Sequence, residues 1–324
     1  MSSKDKSTIQ STILGKAYEY VCLRALENVI LGVRPYKIEY NSSFDIAKAR
    51  FEEISQQEKK EMQLSAQAGI NTIIKMEPKI LNDGDDLLTL SLQPDSVAEE
   101  NSDVRDVLVV RRSINWEIGI SVKHNHEALK HSRLSMKIDF GEKWLQKKCS
   151  MDYFREIKPI FDHLSLLKAQ GKKWNDLEDK EGEVYVPLLN AFKKEFMRLN
   201  SESNVTGELI KYLLGSNGND YYKLIHHRNH TTTVMPYNFN GTLNTAGIQG
   251  AKPFIIFSKT ELPQNIDILD FVKNSRTTLM MVLDQSWIIT FRIHNASSKV
   301  ETSLKFDIQL KSKPESLFYV DVAW

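Results

Sequence analysis

The sequence predicts an α/β first part followed by a β-rich second part, and two observations carry this prediction. Over 11–31, apolar residues from Leu14 to Val29 recur at three- and four-residue steps, as on the buried face of a helix. After about residue 200, short apolar and β-branched runs alternate with Asn- and Gly-rich turns, which is typical of strands. We therefore expect a part over 1–200 and a part over 201–324, although both could belong to one integrated domain.

The same periodicities predict the remaining elements. A helix is expected over 43–68, opened by a capping box of Ser42 and Asp45, and a strand at 88–92. A hairpin of 106–110 and 116–123 follows, with its turn near residue 114, and then helices from 124 to about 200 with breaks at Pro159 and Gly171. The expected strands of the last part are 253–257, 278–283, 287–293, 303–310 and 317–324.

Composition excludes several classes of protein. With 41% hydrophobic and 26% charged residues in a chain of 324, wholesale disorder is excluded. The only cysteines, Cys22 and Cys149, do not make a disulfide scaffold, and they favour a reducing compartment. The sequence contains no apolar run of 18 residues, no P-loop and no dinucleotide-binding glycine pattern, so we expect a cytoplasmic protein without a membrane partner.

The predicted hairpin brings chemistry-bearing side chains together. If its strands turn near residue 114, Asp106 faces the end of the second strand, where Lys123 lies. Glu117, Ser121 and Lys123 share one face of that strand, because strand side chains alternate with period two. A carboxylate that can hold Mg²⁺ beside a lysine that can orient water is the minimum apparatus for phosphodiester hydrolysis. Solvated charges at ordinary strand ends are the alternative explanation.

Two long segments favour the catalytic interpretation of this hairpin. VRDVLVVRRSINWEIGISVKHNHEALKHSRLS (104–135) and FRIHNASSKVETSLKFDIQL (291–310), supported by GTLN (241–244), resemble the HaeIII-type restriction endonucleases. The resemblance implies a PD-(D/E)xK core, in which a mixed sheet is flanked by helices. It also implies Mg²⁺-dependent cleavage of double-stranded DNA at a short G·C-rich palindrome, GGCC. Within that motif, Asp106 is the first acid and Lys123 the lysine, with Asp95 after Pro94 as a rival first acid.

The second acid of the motif departs from the family pattern. Ser121 stands two residues before Lys123, where an acid is expected, and serine is a poor Mg²⁺ ligand beside a carboxylate. Glu127, just after the strand, is the favoured replacement, and Glu117 is the reserve. By resemblance, Glu19 in the first helix corresponds to a glutamate that supports the metal site.

Several polar residues are candidates for DNA binding. His124 and His126 follow the lysine, and the basic residues from Lys130 to Lys137 would form one positive face on a helix. The segment 226–230 is expected on a loop, and guanine edges are read by arginines. The candidates are His124, His126, Lys130, Arg133, Arg228, Arg292, His294 and Asn295.

The combined expectation is a type II restriction endonuclease. Its partner is double-stranded DNA, and a palindromic site favours a homodimer, with a monomer left open. The alternatives are a non-catalytic DNA-binding regulator and a non-specific nuclease. The net charge of +1 excludes neither, because binding depends on where charge is placed.

Overall fold

A computed structural model describes residues 3–94, 103–125, 129, 132–216, 218–295 and 297–324. The chain forms two compact units. The first unit comprises 1–127, 216–260 and 316–324, and the second comprises 128–215 and 261–315. The first unit therefore draws residues from both sides of the expected boundary at residue 200, because strands late in the chain pair with strands early in it.

Within the described residues, helices fall into both units. They are α1 (Ser3–Ile30), α2 (Ser42–Glu53), α3 (Gln56–Met76) and α4 (Pro78–Leu81) in the first unit, and α5 (Phe140–Leu145), α6 (Met151–Ala169), α7 (Val186–Ser203) and α8 (Thr206–Leu214) in the second. A π-helical turn, Glu181–Tyr185, directly precedes α7.

The first unit contains a mixed sheet of seven strands. Their bounds are β1 (Tyr36–Glu39), β2 (Leu88–Leu92), β3 (Val107–Arg111), β4 (Trp116–His124), β6 (Tyr221–His227), β7 (Thr231–Tyr237) and β12 (Val320–Ala323). They lie side by side in that order. The β1–β2 and β4–β6 pairs are parallel, and the other four pairs are antiparallel. The predicted mixed sheet with helices is therefore confirmed for this unit.

The second unit contains an antiparallel sheet of five strands. Their bounds are β5 (Ser132–Leu134), β8 (Ile266–Phe271), β9 (Thr278–Leu283), β10 (Ile288–His294) and β11 (Leu304–Ser312), in the spatial order β5-β11-β10-β9-β8. Aromatic side chains fill its core. Phe192 from α7 contacts both Phe291 of β10 and Phe306 of β11, with ring centroids 5.6 and 5.3 Å away.

Packing of α1 and α3 determines how the first sheet is covered. The apolar face of α1, which includes Tyr18 and Leu23, is buried against alternate residues of β3 and β4. In α3, Gly69 allows close approach to β6, since a Cβ there would come within 2.2 Å of Leu224. These contacts place the middle of α1 beside the end of β4.

Several sequence expectations were wrong in detail. The stretch 43–68 is two helices rather than one, because Ser55 caps α3 in a box with Glu58, while Asn41 and not Ser42 caps α2. Pro159 lies inside α6 and does not break it. The run 253–257 is not a strand, although its residues have strand propensity.

Strand β5 interrupts the expected helices after residue 124. The expected positive helical face is therefore wrong for its described members, because Arg133 lies in β5 and Lys137 in a turn. Local helical spacing was overridden here by pairing of β5 with β11. Among the described residues, no helix is long and apolar enough to cross a membrane.

Candidate active site

The end of the β3–β4 hairpin brings Asp106 and Lys123 into contact. Asp106 directly precedes β3, and its amide donates to the carbonyl of Ile120, 2.9 Å away. One oxygen of its carboxylate, Oδ2, accepts from the amide of Val122 at 2.6 Å and lies 3.2 Å from Lys123 Nζ. The expected convergence is therefore present, and both side chains keep about a quarter of their surface exposed, 21% and 28%.

Ser121 lies behind this pair. Ser121 is 1% exposed, and its hydroxyl is 3.5 Å from Asp106 Oδ2, at the limit of a hydrogen bond. A buried hydroxyl in this position can orient the carboxylate. It supplies no negative charge, so the cation-binding charge of the site has to come from other residues.

Glu19 supplies a second carboxylate from α1. It is 8% exposed, and its charge interacts with those of Asp106 and Lys123. Burial, followed by repulsion from Asp106, raises the pKa of Glu19 to about 8. Lys16, one turn earlier on α1, forms an ion pair with Glu19 over 3.0 Å between Nζ and Oε2. The two carboxylates therefore share one electrostatic environment.

This donor set fits Mg²⁺. Magnesium takes oxygen ligands and commonly uses one or two carboxylates, with waters and phosphate oxygens in the other positions. A divalent cation held by Asp106 and Glu19 would offset the repulsion between them, which adds to the effect of burial on the pKa of Glu19. Among the described residues no group of three or more His, Cys, Asp or Glu could hold a metal ion.

Glu117 is engaged elsewhere. It lies opposite Val110 in the hairpin, and its Oε1 is 2.5 Å from the guanidinium of Arg105, which also pairs with Asp103. The stem of Arg105 passes over Gly119, where any Cβ would come within 2.1 Å of it. Among the described residues Glu117 is thus paired with an arginine, and its role as reserve metal ligand stays a prediction.

Four sequence candidates lie outside the described residues. They are the favoured second acid Glu127, the rival first acid Asp95, and the DNA-binding candidates His126 and Lys130. Their roles stay predictions.

His124 starts a stack of aromatic rings at the same end of the sheet. Its ring stacks on that of His226 with centroids 4.8 Å apart, and His226 stacks on Trp324 at 5.3 Å. Burial, together with the neighbouring His124, lowers the pKa of His226 to about 4, so its ring is neutral at pH 7. The ring Nδ1 of His226 is buried, and no described residue forms a hydrogen bond with it.

The expected loop at 226–230 is wrong in part. His226 and His227 lie in β6, and only Arg228, Asn229 and His230 form the turn to β7. His226 and His227 belong to a strand because β6 pairs with β4 on one side and with β7 on the other. Arg228 is exposed in that turn, as a DNA contact requires.

The remaining DNA-binding candidates lie in the second unit. Arg292 is exposed on β10, opposite Asp307 of β11. Arg133 is exposed on β5, and its guanidinium approaches the carbonyl of Ser303 at 3.5 Å. His294 Nδ1 lies 2.9 Å from the carbonyl of Asn295.

Asn295 is held at both ends of its side chain. Its Oδ1 accepts from the hydroxyl of Tyr185, and its Nδ2 donates to the carbonyl of Ser297. Base contact by Asn295 would therefore require these bonds to change. Of the second-unit candidates, Arg292 and Arg133 have the most accessible side chains.

Sequence reasoning missed Lys16 and the partners of His124. Lys16 could have been found, because it precedes Glu19 by three residues and so shares its helical face. No local signal links His124 to His226 and Trp324, since these residues meet only through strand pairing.

The chain is similar to known proteins over nearly its whole length. The family model described as HaeIII restriction endonuclease matches residues 15–314. The curated protein "Type II restriction enzyme HaeIII" from Haemophilus aegyptius is 40% identical over 313 residues, which cover 96% of this chain and 97% of that protein. No solved structure gives a significant match.

Proposed function

The chain belongs to the HaeIII restriction endonuclease family and is a site-specific deoxyribonuclease, and we propose that it hydrolyses both strands of a short G·C-rich palindrome, GGCC, with Mg²⁺. The observation that carries this proposal is the contact of Asp106 with Lys123 at the hairpin end, with Glu19 in the same charge cluster. We also propose that the first unit has a core of the PD-(D/E)xK type. The proposed location of the protein is the cytoplasm.

Each residue of the cluster has a role in hydrolysis. Asp106 and Glu19 would hold the metal ion, with Glu127 as the proposed further acid and Glu117 in reserve. Bound Mg²⁺ supplies positive charge for the phosphate oxygens and the departing 3′ oxygen. Lys123 orients a water molecule for in-line attack on phosphorus. The new P–O bond forms as the bond to the 3′ oxygen breaks. The attacking water gives up a proton to solvent, and the 3′ oxygen takes a proton from solvent and leaves as a hydroxyl.

Sequence recognition requires other surfaces. Groups that contact phosphates fix the position of DNA but carry little direct sequence information. We propose that residues after 200, around Arg228 and Arg292, read the bases, with His294 and Asn295 beside them. Arg133, His124, His126 and Lys130 are proposed phosphate contacts. A homodimer would present two active sites to the two strands of a palindrome.

Digestion of plasmid DNA by the pure protein tests the proposal. With Mg²⁺ we expect discrete fragments that match the GGCC positions of the plasmid, and with EDTA no cleavage. A smear would indicate a non-specific nuclease. Intact plasmid under all metal conditions, with a retained band shift, would indicate a non-catalytic DNA-binding regulator.

The identity of the second acid needs its own test. Glu127→Gln and Glu117→Gln are compared for Ca²⁺ binding by calorimetry, where Ca²⁺ replaces Mg²⁺ to prevent cleavage. We expect Glu127→Gln to lose at least tenfold in affinity and Glu117→Gln to keep the wild-type value, because Glu117 is paired with Arg105. The reverse ranking would transfer the assignment to Glu117.

A further inference from the structure

Lys16 is a second lysine beside the candidate active site. It lies on α1, and its ammonium is 3.0 Å from Glu19 Oε2. Only 18% of the Lys16 side chain and 10% of the Glu19 side chain are exposed. This pair is therefore largely withdrawn from water, unlike most helix pairs at the same spacing, whose contribution is small.

The pairing of charges in the cluster shows what Lys16 would do when substrate arrives. Asp106 is matched by Lys123 and Glu19 by Lys16, so two carboxylates face two ammonium groups. Lys16 acts more strongly on Glu19 than Lys123 does. If Glu19 turns to a cation, its ion pair with Lys16 weakens, and a phosphate anion can take the place of the carboxylate beside this poorly solvated ammonium group.

The anion that the reaction brings to this position is the phosphate group that is cleaved. On the proposed function the reacting phosphate lies against Asp106 and Lys123, and the charge of Glu19, on the helix packed against β3 and β4, acts on both of these groups. A lysine carries three donors on a flexible stem and binds phosphate oxygens as a point charge. One turn of α1 separates Lys16 from Glu19, so its ammonium can move between the carboxylate and a phosphate without change in the backbone.

We propose that Lys16 is a substrate-binding residue, which pairs with Glu19 in the free protein and contacts the scissile phosphate in the complex with DNA. This inference rests on the proposed function, because it requires the phosphodiester to lie against Asp106 and Lys123. It assigns different tasks to the two lysines: Lys123 acts on the attacking water and Lys16 on the phosphate.

A matched control exists on the same helix. Arg24 forms an ion pair with Glu27 at the same three-residue spacing, two turns further along α1, and 41% of the Arg24 side chain is exposed. Removing Arg24 therefore tests loss of an α1 ion pair without a change at the hairpin end. Lys16→Arg serves as the conservative variant, since it keeps the positive charge.

The test measures DNA binding with Ca²⁺ in place of Mg²⁺. Wild type, Lys16→Met, Lys16→Arg and Arg24→Met are titrated with a GGCC duplex. They are also titrated with duplexes that carry an uncharged methylphosphonate either at the scissile phosphate or two nucleotides outside the site. Thermal unfolding shows that each variant is folded, and Lys16→Gln replaces Lys16→Met if the latter is not.

We expect Lys16→Met to bind the ordinary duplex about tenfold more weakly, with a salt slope reduced by about one. The methylphosphonate at the scissile position should then reduce the affinity of this variant much less than that of wild type. The outer methylphosphonate should reduce both affinities by the same factor. Lys16→Arg should recover most of the affinity, and Arg24→Met should behave as wild type.

If the scissile methylphosphonate reduces the DNA affinity of wild type and of Lys16→Met by the same factor, the inference is overturned. The plasmid digest separates this outcome from failure of the proposed function. Site-specific cleavage by wild type together with equal reductions in affinity removes only the role of Lys16. Absence of cleavage by wild type removes the function on which it rests.

Discussion

The two ends of strand β3 carry opposite kinds of charge cluster. At its far end, Arg111 pairs with Asp83 at 2.9 Å and with Asp86, and Arg34 also pairs with Asp86 at 2.9 Å. Hydrogen bonds from Arg111 hold the pKa of Asp86 well below its usual range. At the near end, burial and Asp106 raise the pKa of Glu19 to about 8.

The far cluster comprises Arg34, Asp83, Asp86 and Arg111, and the near cluster comprises Lys16, Glu19, Asp106 and Lys123. They differ in how completely hydrogen bonds and ion pairs satisfy their carboxylates. Guanidinium groups donate in a fixed fork that matches a carboxylate, and in the far cluster they also donate to backbone carbonyls of Lys79 and Ile80. In the near cluster each carboxylate faces a lysine ammonium, which is a point charge rather than a fixed fork, and the two carboxylates repel one another. The far cluster therefore stabilises the fold, while the carboxylates of the near cluster are less completely satisfied and can bind a cation.

Removal of Asp106 or Lys123 should have the largest effect on activity. We expect Asp106→Ala and Lys123→Ala to lower cleavage by at least about 10³-fold, equivalent to roughly 4 kcal/mol of barrier, because they act on the reacting groups. Specific DNA binding should be largely retained in Ca²⁺. Single-turnover cleavage and band shifts measure the two quantities, and wild-type cleavage by either variant would contradict the assignment.

Removal of Arg111 should have the largest effect on stability. Arg111→Met leaves Asp83 and Asp86 without their main partner, and such a loss costs about 3–5 kcal/mol of unfolding free energy. Arg112→Met is the matched control, because Arg112 is 71% exposed and its pair with Glu39 contributes at most about 1 kcal/mol. Urea unfolding measures both. Equal effects would mean that the far cluster is not structural.

The pH dependence of stability should separate the two clusters further. Between its ordinary value of 4.5 and about 8, Glu19 keeps in the folded state a proton that the unfolded chain has released. The metal-free protein should therefore lose stability as pH rises from 5 to 8. Glu19→Gln should remove much of this loss, and Glu27→Gln on the same helix should not. Urea unfolding in EDTA at both pH values measures the free energies of unfolding, and the same change with pH in all three proteins would contradict the raised pKa of Glu19.

Substitutions of the proposed DNA contacts outside both clusters should show the smallest effects. Arg292→Ala should lose about 1–3 kcal/mol of discrimination between cognate and single-mismatch duplexes, if it reads a guanine. Lys130→Ala should instead weaken all DNA alike and flatten the salt dependence. Both are compared over a salt series. Loss of discrimination in Lys130→Ala alone would mean that the two surfaces are reversed.

Much of the near cluster could be predicted from the sequence. Asp106 and Lys123 follow from the period and turn of one hairpin, since both strands and the link between them are local. Glu19 was reached only through family resemblance, because 87 residues separate it from Asp106 in the chain. Its raised pKa could not be predicted, since it depends on burial.

The sequence by itself determined the first helix, the β3–β4 hairpin and the strands β9 to β11, because each has a strong local period. Only the tertiary structure decided that β6, β7 and β12 join the first sheet, which returns residues after 200 to the unit of Asp106. It also brought His226 and Trp324 to His124, and packed α1 so that Lys16 and Glu19 lie with Asp106. Strand partners and buried charges are chosen by long-range pairing and desolvation, which leave no period in the chain.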